Sequence, residues 1–221
     1  MTDFAAQRAE ICRIGRSLFE RGLVHATAGN ISVRLPDGAG FLITPTDACL
    51  GFLVPDALAR TDAQGAALDG PRPSKTLALH RRIYDADAGA RCVIHTHSTH
   101  CVALTLAGVW SADDVLPPIT PYFVMKVGHV PLVPYHRPGD PAVAALVAAA
   151  IDTARTRGAP IRAVMLDRLG PNVWHDSPAA AMAVLEELEE TARLWRITEP
   201  KPAPLTEAQI DEIRSAFCAR W

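Results

Sequence analysis

An apolar run with strand character, Cys92-Val93-Ile94, ends in His95-Thr96-His97, two histidines one residue apart. In an extended strand, side chains at i and i+2 point to the same face, so both imidazoles can aim at one point. Neutral imidazole is the commonest protein ligand for zinc and similar divalent metals. Such a pair on an exposed strand can also be nothing more than a polar face. Here Val93 and Ile94 argue for a buried strand, where two unpaired imidazoles would be costly. The run passes at once into Ser98-Thr99, a helix start. Strand ends that break into helices are where sites on α/β folds sit. The pair therefore reads as half of a metal site.

The rest of the chain alternates helix and strand signals without repeats. Ile11, Ile14 and Leu18 recur at helical spacing, with Gly22 as the stop. Thr27 to Val33 is a turn running into a strand, and Phe41-Leu42-Ile43 is a short apolar strand. Gly70 to Lys75 is a loop, followed by a helix with Leu77, His80 and Tyr84 on related faces. A helix is expected from Ser98 to about Leu106, then a proline-punctuated stretch from Pro117 to Pro138 containing the strand Val130–Val133. Gly139-Asp140 opens an alanine-rich helix from Pro141 to Arg157. Strands follow at Ile161–Leu166 and Asn172–His175. Ser177-Pro178 caps a long acidic helix to about Ile197, and Thr206-Glu207-Ala208-Gln209 is a capping box for a final helix.

At 221 residues the chain can bury one sizeable core. With 22 basic and 24 acidic residues it has no basic stripe for nucleic acid and no acidic tail. No apolar run approaches the length of a membrane span, and Met1-Thr2-Asp3-Phe4 has no apolar signal core, so no secretory peptide is expected. Cys12, Cys49, Cys92, Cys101 and Cys218 are odd in number and scattered, without C-x-x-C spacing. They read as reduced core thiols of a cytoplasmic protein.

Three loops stand ahead of the histidines. Ala28-Gly29-Asn30 is a small-residue turn with an amide beside it. Thr44-Pro45-Thr46-Asp47 places two hydroxyls on a rigid turn after a strand. Pro73-Ser74-Lys75-Thr76 sets hydroxyls and a cation at a helix start, where free N–H groups would make an anion site. Each alone is an ordinary turn; their joint occurrence before the H-x-H strand is the stronger signal.

Gly29-Asn30, Thr44-Pro45-Thr46, Pro73-Ser74-Lys75-Thr76 and His95-Thr96-His97, in this order and at this spacing, resemble the motifs of the class II aldolase and adducin family. The resemblance runs from the first helix to about Ile197. Within the family the chain looks most like the 3-oxo-tetronate 4-phosphate decarboxylases. That closer likeness lies in Thr46–Gly51, Pro117–Tyr122, Val133–Asp140 and Leu185–Ala192.

The resemblance implies a single α/β domain, with a central, largely antiparallel sheet flanked by helices, over residues 1–199. Residues 200–221 would be a short proline-containing linker and a helix packing on the same domain. It implies a cytoplasmic homotetramer with active sites between subunits, without nucleic acid or membrane partners. One divalent cation, Zn2+, would be held by His95 and His97. Asn30, Thr46, Asp47, Ser74 and Lys75 would surround the substrate phosphate, and Lys75 and Thr76 would stand at the catalytic positions. The implied reaction takes a sugar-acid phosphate, 3-oxo-tetronate 4-phosphate, to dihydroxyacetone phosphate and CO2. A class II sugar-phosphate aldolase or epimerase is one alternative, and a non-catalytic adducin-like interaction module is another.

Three positions depart from the family pattern. Thr76 stands where the aldolases carry a catalytic glutamate. Arg168-Leu169-Gly170-Pro171 matches their N-H-G segment, so leucine takes the place of a third metal-binding histidine. Asp47 follows the second threonine where the aldolases have glycine. Leucine binds no metal and threonine is a poor general base. Water, substrate oxygens, His100, His175 or Asp167 are then the groups left to complete the coordination. His25, His80, His129 and His136 read as structural or surface histidines.

Overall fold

The structure is a computed structural model and describes residues 4–221. Its first half comprises helix α1 (Ala5–Glu20) and strands β1 (Asn30–Arg34), β2 (Phe41–Ile43), β3 (Ala59–Thr61) and β4 (Ala67–Asp69). Helix α2 (Leu77–Ala86), strand β5 (Cys92–His95) and helix α3 (Thr99–Ala107) follow. The second half runs β6 (Leu132–Val133), α4 (Pro141–Thr156), β7 (Ala163–Leu166), β8 (Gly170–His175), α5 (Pro178–Ile197) and α6 (Glu207–Phe217). The strands form one sheet in the order β4-β3-β2-β1-β5-β8-β7-β6. Every pairing is antiparallel except β6 with β7. The largely antiparallel sheet expected from the family likeness is what forms.

The sheet is covered on both faces, and the alternation of side chains assigns each face its helices. Ile31, Val33, Ile94, Met165 and Val173 pack on one side with Ile11, Ile14 and Leu18 of α1, Leu104 of α3 and Leu185 and Leu188 of α5. Ile43, Val93, Val164 and Trp174 pack on the other with Leu77 and Ile83 of α2 and Val143, Val147 and Ile151 of α4. The α2/α4 side also buries a polar pocket. There Ser32 Oγ lies 2.7 Å from His80 Nδ1, and Tyr84 Oη donates to the Ser32 carbonyl at 3.0 Å. His80 is fully buried in this core, with its Nε2 unpaired.

The helix ends follow the sequence signals. Asp140 accepts from Ala142 N at 3.0 Å to cap α4, and Ser177 accepts from Ala180 N to cap α5. The Thr206/Gln209 box closes α6, whose Ile210 and Ile213 pack on Val124. Ser98, expected to cap α3, makes no capping bond through its side chain. Glu189 of α5 does that work instead. Its carboxylate accepts from His100 N at 2.8 Å, Cys101 N at 3.0 Å and His100 Nδ1 at 2.8 Å. Burial pushes the carboxyl up, but the backbone N–H bonds from His100 and Cys101, with the Cys101 and Ser98 side chains, outweigh it and hold its pKa below the ordinary value. The β3–β4 hairpin, closed by Asp62 accepting from Gln64 N and Ala66 N, was not legible in the sequence. Its strands are three residues long, and β4 is exposed throughout, so no hydrophobic alternation marks it.

Glu189 anchors the start of α3, and through it the segment that carries His97. Glu189→Ala leaves two buried N–H groups of α3 without acceptors and should cost about 2–3 kcal/mol. Urea unfolding of the variant checks this, and a midpoint equal to wild type would show that α3 does not depend on the carboxylate.

Candidate active site

Antiparallel register brings the site together. Asn30 of β1 and Asn172 of β8 both stand opposite His95 of β5. Residues directly opposite in neighbouring strands share a face, so the three form one row on the α2/α4 side. The row floors a cavity of about 420 Å³. Its walls come from three loops: the turn after β2 with Thr46 and Asp47, the entry to α2 with Ser74, Lys75 and Thr76, and the segment from β6 into α4. Asp167 and Leu169 complete the rim before β8.

Two glycines let backbone close on the histidine segment. A Cβ on Gly29 (φ +84°) would sit 2.8 Å from the His95 carbonyl oxygen, and one on Gly170 (φ +115°) 2.3 Å from that of Thr96. No side chain fits either contact, and both backbone angles lie where glycine is favoured. Asp47, at φ +57°, takes a left-handed turn at the position where the family resemblance implies glycine. Aspartate tolerates that region better than most residues.

His95 and His97 converge as the spacing implied. Their Nε2 atoms lie 3.1 Å apart. His95 Nδ1 donates to the Pro171 carbonyl at 2.9 Å, which leaves the lone pair on Nε2, facing His97. Burial, then the nearby His97, lowers the His95 pKa to about 4, against a weaker rise from the Pro171 carbonyl. Burial and the neighbouring His25 lower that of His97. Both rings are therefore neutral near pH 7, the form that ligates metal. Two nitrogens 3.1 Å apart subtend roughly 100° at one cation bound at Zn–N distances of about 2.0–2.1 Å. The pair fits two coordination positions. Among the described residues no set of three His, Cys, Asp or Glu side chains is grouped closely enough to hold a metal.

The loops are tied to each other. Pro45 and Pro73 form a β-bridge, Ser74 N donates to Thr44 O, and Thr46 Oγ1 donates to Pro73 O at 3.0 Å. Thr76 Oγ1 lies 2.9 Å from Ser74 Oγ. The N–H groups at the α2 start are only partly engaged. Those of Ser74, Thr76 and Leu77 are already bonded, to Thr44 O, Ser74 Oγ and Ser74 O. Lys75 on the same loop is exposed. Asp47, also exposed, lies at the rim, and no ion pair joins it to Lys75.

The cavity therefore unites Asn30, Thr46, Asp47, Ser74, Lys75, Thr76, His95 and His97. Two groups considered for the coordination lie elsewhere. His100 faces a different cleft, paired with Glu189, and His175 sits at the far end of β8, opposite Cys92 and bonded to Asp176. Asp167 does line the cavity, as does His136, which the sequence placed among structural or surface histidines. Asn172 carried no motif. The available signal was a polar residue inside an otherwise apolar strand.

The family described as Class II Aldolase and Adducin N-terminal domain matches residues 9–196. A 3-oxo-tetronate 4-phosphate decarboxylase of Cupriavidus necator is 58% identical over 219 residues, covering 97% of each chain. One from Escherichia coli K12 is 41% identical, covering 97% of this chain and all of that one. The crystal structure of YgbL from Escherichia coli superposes with a TM-score of 0.84 at 39% identity, over 95% of this chain and 98% of that one. An L-fuculose 1-phosphate aldolase, at 22% identity and a TM-score of 0.80, shares the fold over 96% and 95% of the two chains.

The buried imidazoles set a pH dependence. His80, with a pKa lowered by burial and by His95 to about 3, and His95, at about 4, are both far below the ordinary 6.5. Between pH 6.5 and 4 the unfolded chain takes up protons on these rings and the folded chain does not. Stability therefore falls with pH across that window, by several kcal/mol in total. Urea midpoints of chelator-treated protein from pH 7.5 to 4.5 should show the decline. His80→Gln should flatten it, and an unchanged slope would show that His80 does not contribute.

Proposed function

Because the chain belongs to the class II aldolase and adducin family, we propose that it is a carboxy-lyase that converts 3-oxo-tetronate 4-phosphate to dihydroxyacetone phosphate and CO2. The observation that carries the reading is 58% identity, over 97% of both chains, to a protein of that name. The cavity agrees with it, since it joins a metal-type histidine pair to a loop bearing a free cation. No helix among the described residues is long and apolar enough to cross a membrane. We take the working form to be a cytoplasmic homotetramer, which light scattering at micromolar concentration tests.

The chemistry suits this set of residues. A 3-oxo acid needs no nucleophile to lose CO2; the barrier falls when the negative charge developing on the C3 oxygen is stabilised. A divalent cation, which we take to be zinc, would be held by His95 and His97 and supply Lewis-acid stabilisation. The Pro171 carbonyl holds the His95 ring in the ligating tautomer. Lys75, Ser74 and Asn30 would hold the phosphate, while Thr46 braces the loop through Pro73. An aldolase must remove a proton before the carbon–carbon bond breaks, and Thr76, its hydroxyl beside Ser74, offers no base. Decarboxylation removes none at that stage. The intact cavity argues against a purely structural, adducin-like role.

Release of dihydroxyacetone phosphate from synthetic 3-oxo-tetronate 4-phosphate, followed by a coupled assay with and without chelator, tests the activity. His95→Ala should lose bound metal and turnover together. Full metal content and full turnover in that variant would place the site elsewhere.

Lys75→Ala tests the phosphate contact. A charge-assisted hydrogen bond is worth about 1.5–3 kcal/mol, so kcat/KM should fall roughly 10- to 150-fold, mainly through KM. A collapse of kcat at constant KM would instead make Lys75 the proton donor to the enediolate. Wild-type kinetics would remove it from the site.

A further inference from the structure

Asn172 is fully buried, and neither Oδ1 nor Nδ2 of its carboxamide has a protein partner. It lines the cavity beside His95. Its neighbours in the row cannot satisfy it. His95 gives its Nδ1 proton to Pro171 O, and Val164, opposite on β7, is apolar. Buried amides are almost always paired, so one unpaired at both ends on a cavity floor points to a ligand.

The two ends restrict what that ligand is. Nδ2 needs an acceptor and Oδ1 needs a donor, side by side. A carboxylate or phosphate dianion would satisfy Nδ2 and repel Oδ1. A metal ion would satisfy Oδ1 and repel Nδ2. A vicinal hydroxyl and carbonyl match both. We propose that Asn172 reads the C2 hydroxyl and C3 carbonyl of the substrate, its Oδ1 accepting from the hydroxyl and its Nδ2 donating to the carbonyl. The assignment rests on the decarboxylase reading and names the group that makes it selective for a 2-hydroxylated 3-oxo acid.

The same contact serves the reaction. As the C1–C2 bond breaks, its electron pair forms the C2=C3 bond and the C3 oxygen takes the negative charge while CO2 departs. The Nδ2–H bond to that oxygen strengthens as the charge grows. Protonation at C2 then gives dihydroxyacetone phosphate, which keeps an adjacent hydroxyl and carbonyl and binds in the same way.

The test compares two substrates and two products. Wild-type protein should release CO2 from 3-oxo-tetronate 4-phosphate with kcat/KM on the order of 10- to 100-fold above that for its 2-deoxy analogue, 3-oxobutanoate 4-phosphate. Asn172→Leu, of similar size, or Asn172→Val, suited to a strand, should bring that ratio near one. The ratio is taken on a single sample, so loss of folded protein cancels. In calorimetric titrations wild type should bind dihydroxyacetone phosphate more tightly than hydroxyacetone phosphate, and the variants should not. Variants that keep the wild-type ratio and binding preference would overturn the role of Asn172. A wild type that turns over neither substrate, yet shows the Asn172-dependent product preference, would reject the decarboxylase reading and leave the recognition standing.

Discussion

Antiparallel pairing of β5 with β1 on one side and β8 on the other sets the position of every group on the cavity floor. Because the side-chain period in a strand is two, a slip of one residue would send His95 to the α1/α5 face and bring Ile94 into the cavity. The register is held by the apolar residues below the row. Val93 and Trp174 face the α2/α4 layer, and Ile94 and Val173 face the other. Burial of this alternating pattern on both faces defines the pairing more strongly than the histidines could, since polar groups gain little from being buried. The core places the site, and the site adds little to the core.

The same burial explains the electrostatics of the histidine pair. The His95 ring is buried and the His97 ring half-buried, so desolvation, helped by His97 beside His95 and by His25 beside His97, keeps both neutral. Without metal they can share one hydrogen bond, His97 Nε2 donating to His95 Nε2. That arrangement leaves the protein less stable in mild acid than a core without such rings. This is a stability deficit of the kind expected at sites kept for function. Asn30 Oδ1 and Asn172, unpaired in the same row, belong to the same class of local rule-breaking.

Much of the fold could be read from the chain because its helices carry their own end signals. Asp140-Pro141, Ser177-Pro178 and Thr206–Gln209 each start a helix where the sequence places one. The H-x-H strand was legible for a similar reason, since period-two geometry is local. What stayed hidden depends on contacts distant in sequence. The cap of α3 comes from Glu189, 89 residues away from His100, while the local candidate Ser98 makes no side-chain cap. His136 reaches the cavity only because the β6–α4 segment folds over it. Asn172 gains meaning only once β8 lies beside β5. The short β3 and β4 strands lack any hydrophobic pattern to read.

The departures from the aldolase pattern also fit together physically. Retro-aldol cleavage begins by taking a hydroxyl proton, and isomerisation begins by taking one from carbon, so both need a positioned base. Loss of CO2 from a 3-oxo acid needs a sink for charge and a fixed substrate geometry. Threonine at 76 offers no base and leucine at 169 no ligand, while the groups proposed to hold and polarise a substrate line the cavity: the histidine pair, Lys75 and the buried amides of the strand row. A divalent cation held by His95 and His97 would supply the Lewis-acid stabilisation such a charge needs. A site that has lost ligands and base in this way becomes less able to run the reactions that need proton abstraction first. It keeps what a decarboxylation requires.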